Sequence, residues 1–68
     1  MADLVSGGRA GPYVIFVDED GLRHAVRPAA VLALSDGDDL RGLTVMQMTG
    51  GRTVLVRRGL DEVLGWFG

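Results

Sequence analysis

Short apolar runs separated by turn-forming residues occupy most of this chain, and a single helical stripe closes it. Residues 13–17, Tyr-Val-Ile-Phe-Val, are β-branched or aromatic and too few for a helix, which predicts a strand. Both of its faces are apolar: Tyr13, Ile15 and Val17 point one way, Val14 and Phe16 the other. Such a strand should be covered on both sides. The Asp20-Gly21 pair then signals a hairpin turn, because both positions tolerate positive φ. Residues 22–27 return the chain until Pro28, which offers no ladder donor. Residues 29–35 (Ala-Ala-Val-Leu-Ala-Leu-Ser) suit helix by alanine and leucine content but are short, and we read a strand over 31–34.

Residues 36–42 are a loop by composition. A strand follows over 43–48, Thr49-Gly50-Gly51-Arg52 turns the chain, and residues 53–57 return it. In the last segment Leu60, Val63, Leu64 and Phe67 fall at i, i+3, i+4 and i+7, one face of a 3.6-residue period. Gly59 takes the N-cap position, with Asp61 and Glu62 in the first turn, where carboxylates suit the positive end of the helix dipole. Glu62 could also reach back to the Gly59 amide, half of a capping box. Residues 1–12 read differently. Ser6-Gly7-Gly8-Arg9-Ala10-Gly11-Pro12 costs much backbone entropy to order, so these residues are expected to form a flexible N-terminal arm on a single domain over 13–68. The expected fold class is α+β and β-rich: a small twisted, mainly antiparallel sheet of about five strands with one C-terminal helix across it.

The order of these elements resembles the small FlbD-like flagellar proteins, and equally the first half of the LytTR DNA-binding domain. The likeness rests on the Asp20-Gly21 hairpin, Pro28 with the apolar segment after it, Thr44-Val45-Met46, the glycine turn, Val54-Leu55-Val56, and the helix start Leu60-Asp61-Glu62-Val63-Leu64. It implies a β-rich fold with a small regulatory or binding role. Two departures matter. FlbD-like proteins approach the helix through Ser, Thr or Glu, where this chain has Arg57-Arg58-Gly59. The LytTR domain has a further half after the helix that completes its DNA-contacting surface, and no counterpart follows here.

Composition narrows the function classes. A chain of 68 residues holds one small core, worth roughly 3–5 kcal/mol net. With no cysteine it has neither disulfides nor thiolate metal ligands. A self-association surface is then the natural further source of stability. Net charge is −2, from 9 acidic and 7 basic residues, which disfavours a dedicated nucleic-acid binder. All the basic residues are arginine, in keeping with a GC-rich, bacterial genome. Met1-Ala2-Asp3-Leu4 lacks a secretory pattern and no apolar run approaches the length of a membrane span, so a cytoplasmic protein is expected.

Candidate chemistry is thin. His24 is the only histidine and lies on a strand face with Leu22 and Val26, which suggests a packed side chain rather than a catalytic one. Asp36, Asp38 and Asp39 have the wrong glycine and Glu spacing for a calcium loop, and with Asp18, Glu19 and Asp20 read as solvated acidic turns. Gly50-Gly51-Arg52 lacks the lysine and following helix of a phosphate loop. We therefore expect no catalytic residue, no metal, no cofactor, no small-molecule ligand and no membrane contact. The expected function is a non-enzymatic regulatory or interaction module, self-associating as a homo-oligomer through an apolar sheet face. A LytTR-like DNA-binding regulator and a small inhibitor encoded by a mobile element are the alternatives. Interface candidates are Val14 and Phe16, Met46 and Met48 on a second apolar face, the Arg57-Arg58 pair, and Trp66. The arginines either pair with Asp61 or Glu62 or anchor an acidic partner, with Arg23, Arg27 and Arg52 joining them if the strands allow. Trp66, at the margin of the helix stripe, either caps the core or anchors a partner.

Overall fold

A computed structural model describes residues 6–37 and 40–68, with the side chains of Leu40 and Arg41 outside the description. The described residues form six strands and one α-helix. The strands are β1 (Gly8–Ala10), β2 (Tyr13–Val17), β3 (Arg23–Val26), β4 (Val31–Gly37), β5 (Leu40–Met48) and β6 (Arg52–Val56), and the helix is α1 (Leu60–Phe67). Single 3-10 turns at Pro28–Ala30 and Thr49–Gly51 lead into β4 and β6. The strands form two antiparallel three-stranded sheets, ordered β1-β2-β3 and β4-β5-β6.

The expectation of one sheet of about five strands is corrected to two sheets, within the β-rich α+β class. The two-sided apolarity of β2 is the physical reason. Val14 and Phe16, with Val26 across the ladder, meet Met46, Met48, Val54 and Val56 of the second sheet in one buried cluster. Ile15, on the opposite face of β2, is also buried. The helix adds Val63 and Trp66 to the cluster. Its buried stripe is therefore rotated from the expected Leu60-Val63-Leu64-Phe67 face toward Trp66, and Leu64 is left 49% exposed.

Part of the glycine-rich stretch expected to be a flexible arm is a strand. β1 pairs with β2 in register Gly8↔Ile15, Arg9↔Val14 and Ala10↔Tyr13. Three contacts offset the entropy of ordering it. The Gly7 amide donates to the Ile15 carbonyl (2.7 Å) and the Val17 amide to Ser6 Oγ (3.2 Å). The Arg9 guanidinium donates to the Trp66 carbonyl (2.7 Å), a cation on the negative end of the helix dipole. Gly7 is required twice over: φ is +88°, and a Cβ there would lie 2.6 Å from Trp66 Cδ1. Residues 1–5 lie outside the described residues.

Two turns differ from expectation. Residues 18–22 form a longer connection than a two-residue hairpin, because the Asp18 carboxylate accepts from the amides of Asp20 (2.9 Å) and Leu22 (3.0 Å). The loop expected over 36–42 is shorter, since β4 runs to Gly37 and β5 starts at Leu40. Glycine at 37 permits this: a Cβ would stand 2.7 Å from Leu43 Cδ2. Asp38 and Asp39 lie outside the described residues. A strand does cover 31–34, within the longer β4, and the chain does turn after Met48, though Arg52 already belongs to β6.

Two polar contacts tie the layers. The Glu19 amide donates to the Leu55 carbonyl (2.8 Å), joining the β2–β3 turn to β6. The fully buried Thr44 hydroxyl donates to the Arg58 carbonyl (2.8 Å), holding the approach to α1 against β5. Among the described residues, no helix is long and apolar enough to cross a membrane.

Candidate interaction surface

The structure divides the interface candidates into two groups. Val14, Phe16, Met46, Met48 and Trp66 are all buried in the core of the folded chain. The second apolar face expected at Met46 and Met48 is real, but the first sheet and the helix cover it within the same chain. Those residues offer no surface to a partner. Trp66 stacks on Phe16 with ring centroids 6.1 Å apart, so it caps the core.

Arg57 and Arg58 are exposed. Arg58 pairs with Glu62 one helical turn on (3.8 Å), so Glu62 turns to the arginine. Arg57 reaches Glu19 (3.9 Å) on the first sheet's turn. Exposed pairs of this kind contribute about 0.2–1 kcal/mol each. The other arginines with described side chains are dispersed. Arg23 and Arg27 lie at the two ends of β3, Arg27 over the Tyr13 ring (5.8 Å), and Arg9 is committed to the helix end. Arg52 is at the start of β6, beside Asp18, Glu19 and Asp20.

That corner holds the one histidine. A cavity of about 250 Å3 is lined by Asp18, Glu19, Asp20, His24, Arg52 and Leu55, among others. His24 stacks on Phe16 (centroids 5.1 Å, interplanar angle 14°), as a packed histidine should. Its Nε2 lies 2.7 Å from Asp18 Oδ2. This hydrogen bond, followed by the one from the Leu22 amide, holds the Asp18 carboxyl below its ordinary range. An ionised carboxylate only accepts, so His24 Nε2–H is the donor. Asp18 is thus an organiser of the turn rather than one more solvated carboxylate. Among the described residues, no three or more His, Cys, Asp or Glu side chains are arranged to hold a metal ion.

An apolar surface lies open where β4 meets α1. A groove of about 290 Å3 runs between Pro28, Val31, Leu32 and Leu34 on one side and Leu64 and Phe67 on the other. Leu32 is 68% exposed and Leu64 49%. Leu22, at 62%, is also exposed but sits alone on the β2–β3 turn, and single exposed leucines are ordinary. Leu32 and Leu64 border the same concavity, so their exposure is concerted.

Sequence reasoning missed this pair for identifiable reasons. Leu64 belongs by period to the helix stripe, and only the docking of Trp66 turns it outward. Leu32 belongs to an unbroken apolar run in which alternation is hidden. The register between β4 and β5 shifts between Val31 and Ala33, which leaves Leu32 without an opposite number on β5. The signal present in the sequence is the run Val31-Leu32-Ala33-Leu34 itself, since a strand with one face on the core must turn one of those leucines outward. Comparison of the chain with protein-family models, with curated proteins and with solved structures found no match.

Proposed function

We propose that this protein is a non-enzymatic interaction module that self-associates through the apolar groove between β4 and α1. The observation that carries the reading is the pairing of Leu32, two-thirds exposed, and Leu64, half exposed, across one apolar concavity. Covering large apolar side chains is favourable by about 25 cal/mol per Å2 removed from water. A core this small has little stability to spare, so association adds usefully to it. The contact moves from the sheet face expected from sequence to the groove, because that face lies inside the core.

The alternatives have less support. A LytTR-like DNA-binding regulator needs its arginines on one surface, whereas among the described side chains they are spread over both sheets and four are engaged, by Glu19, Glu62, Tyr13 and the helix end. A mobile-element inhibitor rests on size and charge alone.

Light scattering over a rising concentration series tests the proposal. The expected result is a mass that climbs above 7.2 kDa for the wild type and stays there for Leu64→Arg. A wild type that remains at the monomer mass up to millimolar concentration contradicts it.

A further inference from the structure

The groove continues into an open sheet edge. β4 pairs with β5 only, so among the described residues its other side carries no strand. Edge strands present unpaired amide and carbonyl groups, and proteins normally blunt them with charges, proline or shortness. β4 is seven residues long, and residues 29–35 contain neither a charge nor a proline. Register shifts at Leu32 and between Asp36 and Gly37 disturb its two ends. From Ala33 to Asp36 the ladder runs evenly against Gln47, Met46, Val45 and Thr44.

The other edges are managed. β1 has three residues. β3 is four residues long, flanked by Arg23 and Arg27. β6 starts at Arg52, and its Leu55 carbonyl is already taken by the Glu19 amide. The longest of these edges, with its one charge near the far end, is the one beside the apolar groove.

We propose that β4 pairs antiparallel with β4 of a second copy, joining two three-stranded sheets into one continuous sheet across a two-fold axis. This rests on the self-association proposed above and specifies how it is made. Charge favours this occupant and this direction. β4 follows Arg27 across one 3-10 turn and carries Asp36 as its penultimate residue. An antiparallel copy brings the basic end of each strand toward the acidic end of the other. A parallel copy would set like charges together. A two-fold contact is also the commonest way for one patch to complement itself.

Area sets the requirement. A stable interface takes about 800 Å2 from each partner, roughly one-sixth of the 4667 Å2 exposed by this chain. The groove alone is too small for that. The groove and the adjoining edge together form one contiguous surface that includes Leu32 and Leu64. Main-chain hydrogen bonds along the edge supply register, and the leucines supply apolar burial.

Because the chain has no cysteine, single cysteines can be placed along the edge as a register ruler. Leu32→Cys, Ala33→Cys, Leu34→Cys and Ser35→Cys are oxidised under native conditions, with Thr53→Cys on β6 as the control. Retained Trp66 fluorescence verifies the fold of each, and the wild-type mass is measured in parallel. The proposal predicts a dimeric wild type and disulfide dimers that peak at one or two neighbouring β4 positions, with none from the control. A dimeric wild type whose β4 cysteines cross-link no faster than Thr53→Cys overturns the edge pairing and leaves self-association standing. A wild type that is monomeric throughout overturns both.

Discussion

Replacing Gly7 by alanine probes the least expected part of the fold, the N-terminal strand laid on the C-terminal helix. Gly7 has φ +88°, and an added Cβ would sit 2.6 Å from both Cδ1 and Nε1 of Trp66. Two costs follow. Left-handed backbone at a non-glycine residue costs about 1–2 kcal/mol. Forcing a methyl against the buried indole costs about 1–3 kcal/mol. Together they amount to about 2–5 kcal/mol, most of what a core of this size supplies. Gly11→Ala is the matched control: φ is +58° and nothing lies within 4 Å of the new Cβ, so it carries the backbone strain alone. Urea unfolding followed by the fluorescence of Trp66, the single tryptophan, reads both substitutions at the site itself. At an m-value of about 1 kcal/mol/M, Gly7→Ala lowers the midpoint by roughly 2 M or more, and Gly11→Ala by about half of that. Protein concentration is held fixed, because association would add its own stabilisation. An unanchored N-terminal segment predicts the opposite sign, since glycine to alanine then stabilises by about 0.4–1 kcal/mol through the unfolded chain. A Gly7→Ala midpoint at or above that of the wild type would refute the strand-on-helix packing.

Three further perturbations test other joints. Thr44→Val keeps the shape of a fully buried side chain but orphans the Arg58 carbonyl; the expected loss is about 1–3 kcal/mol by urea unfolding, and a neutral result would mean that carbonyl has another partner. The Asp18 carboxyl is held below its ordinary range in the folded state, so its contribution is present above the unfolded value of about 3.9 and is lost as pH falls through the lower folded value. Asp18→Asn should therefore flatten the acid limb of the midpoint-versus-pH curve, and an unchanged limb would show that the His24 and Leu22 bonds do not set it. Phe16→Ala removes a fully buried ring that stacks on both His24 and Trp66, at a cost of about 3–5 kcal/mol; circular dichroism should find the variant largely unfolded, and a cooperative transition near the wild-type midpoint would contradict the placement of the core.

Much of the local structure was legible because local signals were unopposed. The stripe and acidic first turn of residues 60–67 set the bounds of α1, and the β-branched block of residues 13–17 set those of β2. β1 was not legible, because the glycines that argue against order are what let the backbone lie on Trp66. The second sheet was hinted at by the two-sided apolarity of β2, but periodicity tells which face is apolar and not what covers it. That one gap placed Val14, Phe16, Met46 and Met48 at an interface when they face one another. It also hid Leu32 and Leu64. Their exposure depends on a register shift and on the rotation of α1, both decided by long-range packing.

Sedimentation equilibrium of the wild type beside Leu64→Arg tests the central claim most directly. Leu64 is about half exposed, so the substitution should leave the unfolding midpoint of the monomer nearly unchanged while placing a charge in the groove. The account predicts a reversible wild-type dimer at twice 7.2 kDa and a Leu64→Arg variant that stays at 7.2 kDa over the same concentrations. Equal masses for the two proteins, whether both monomeric or both dimeric, would contradict it.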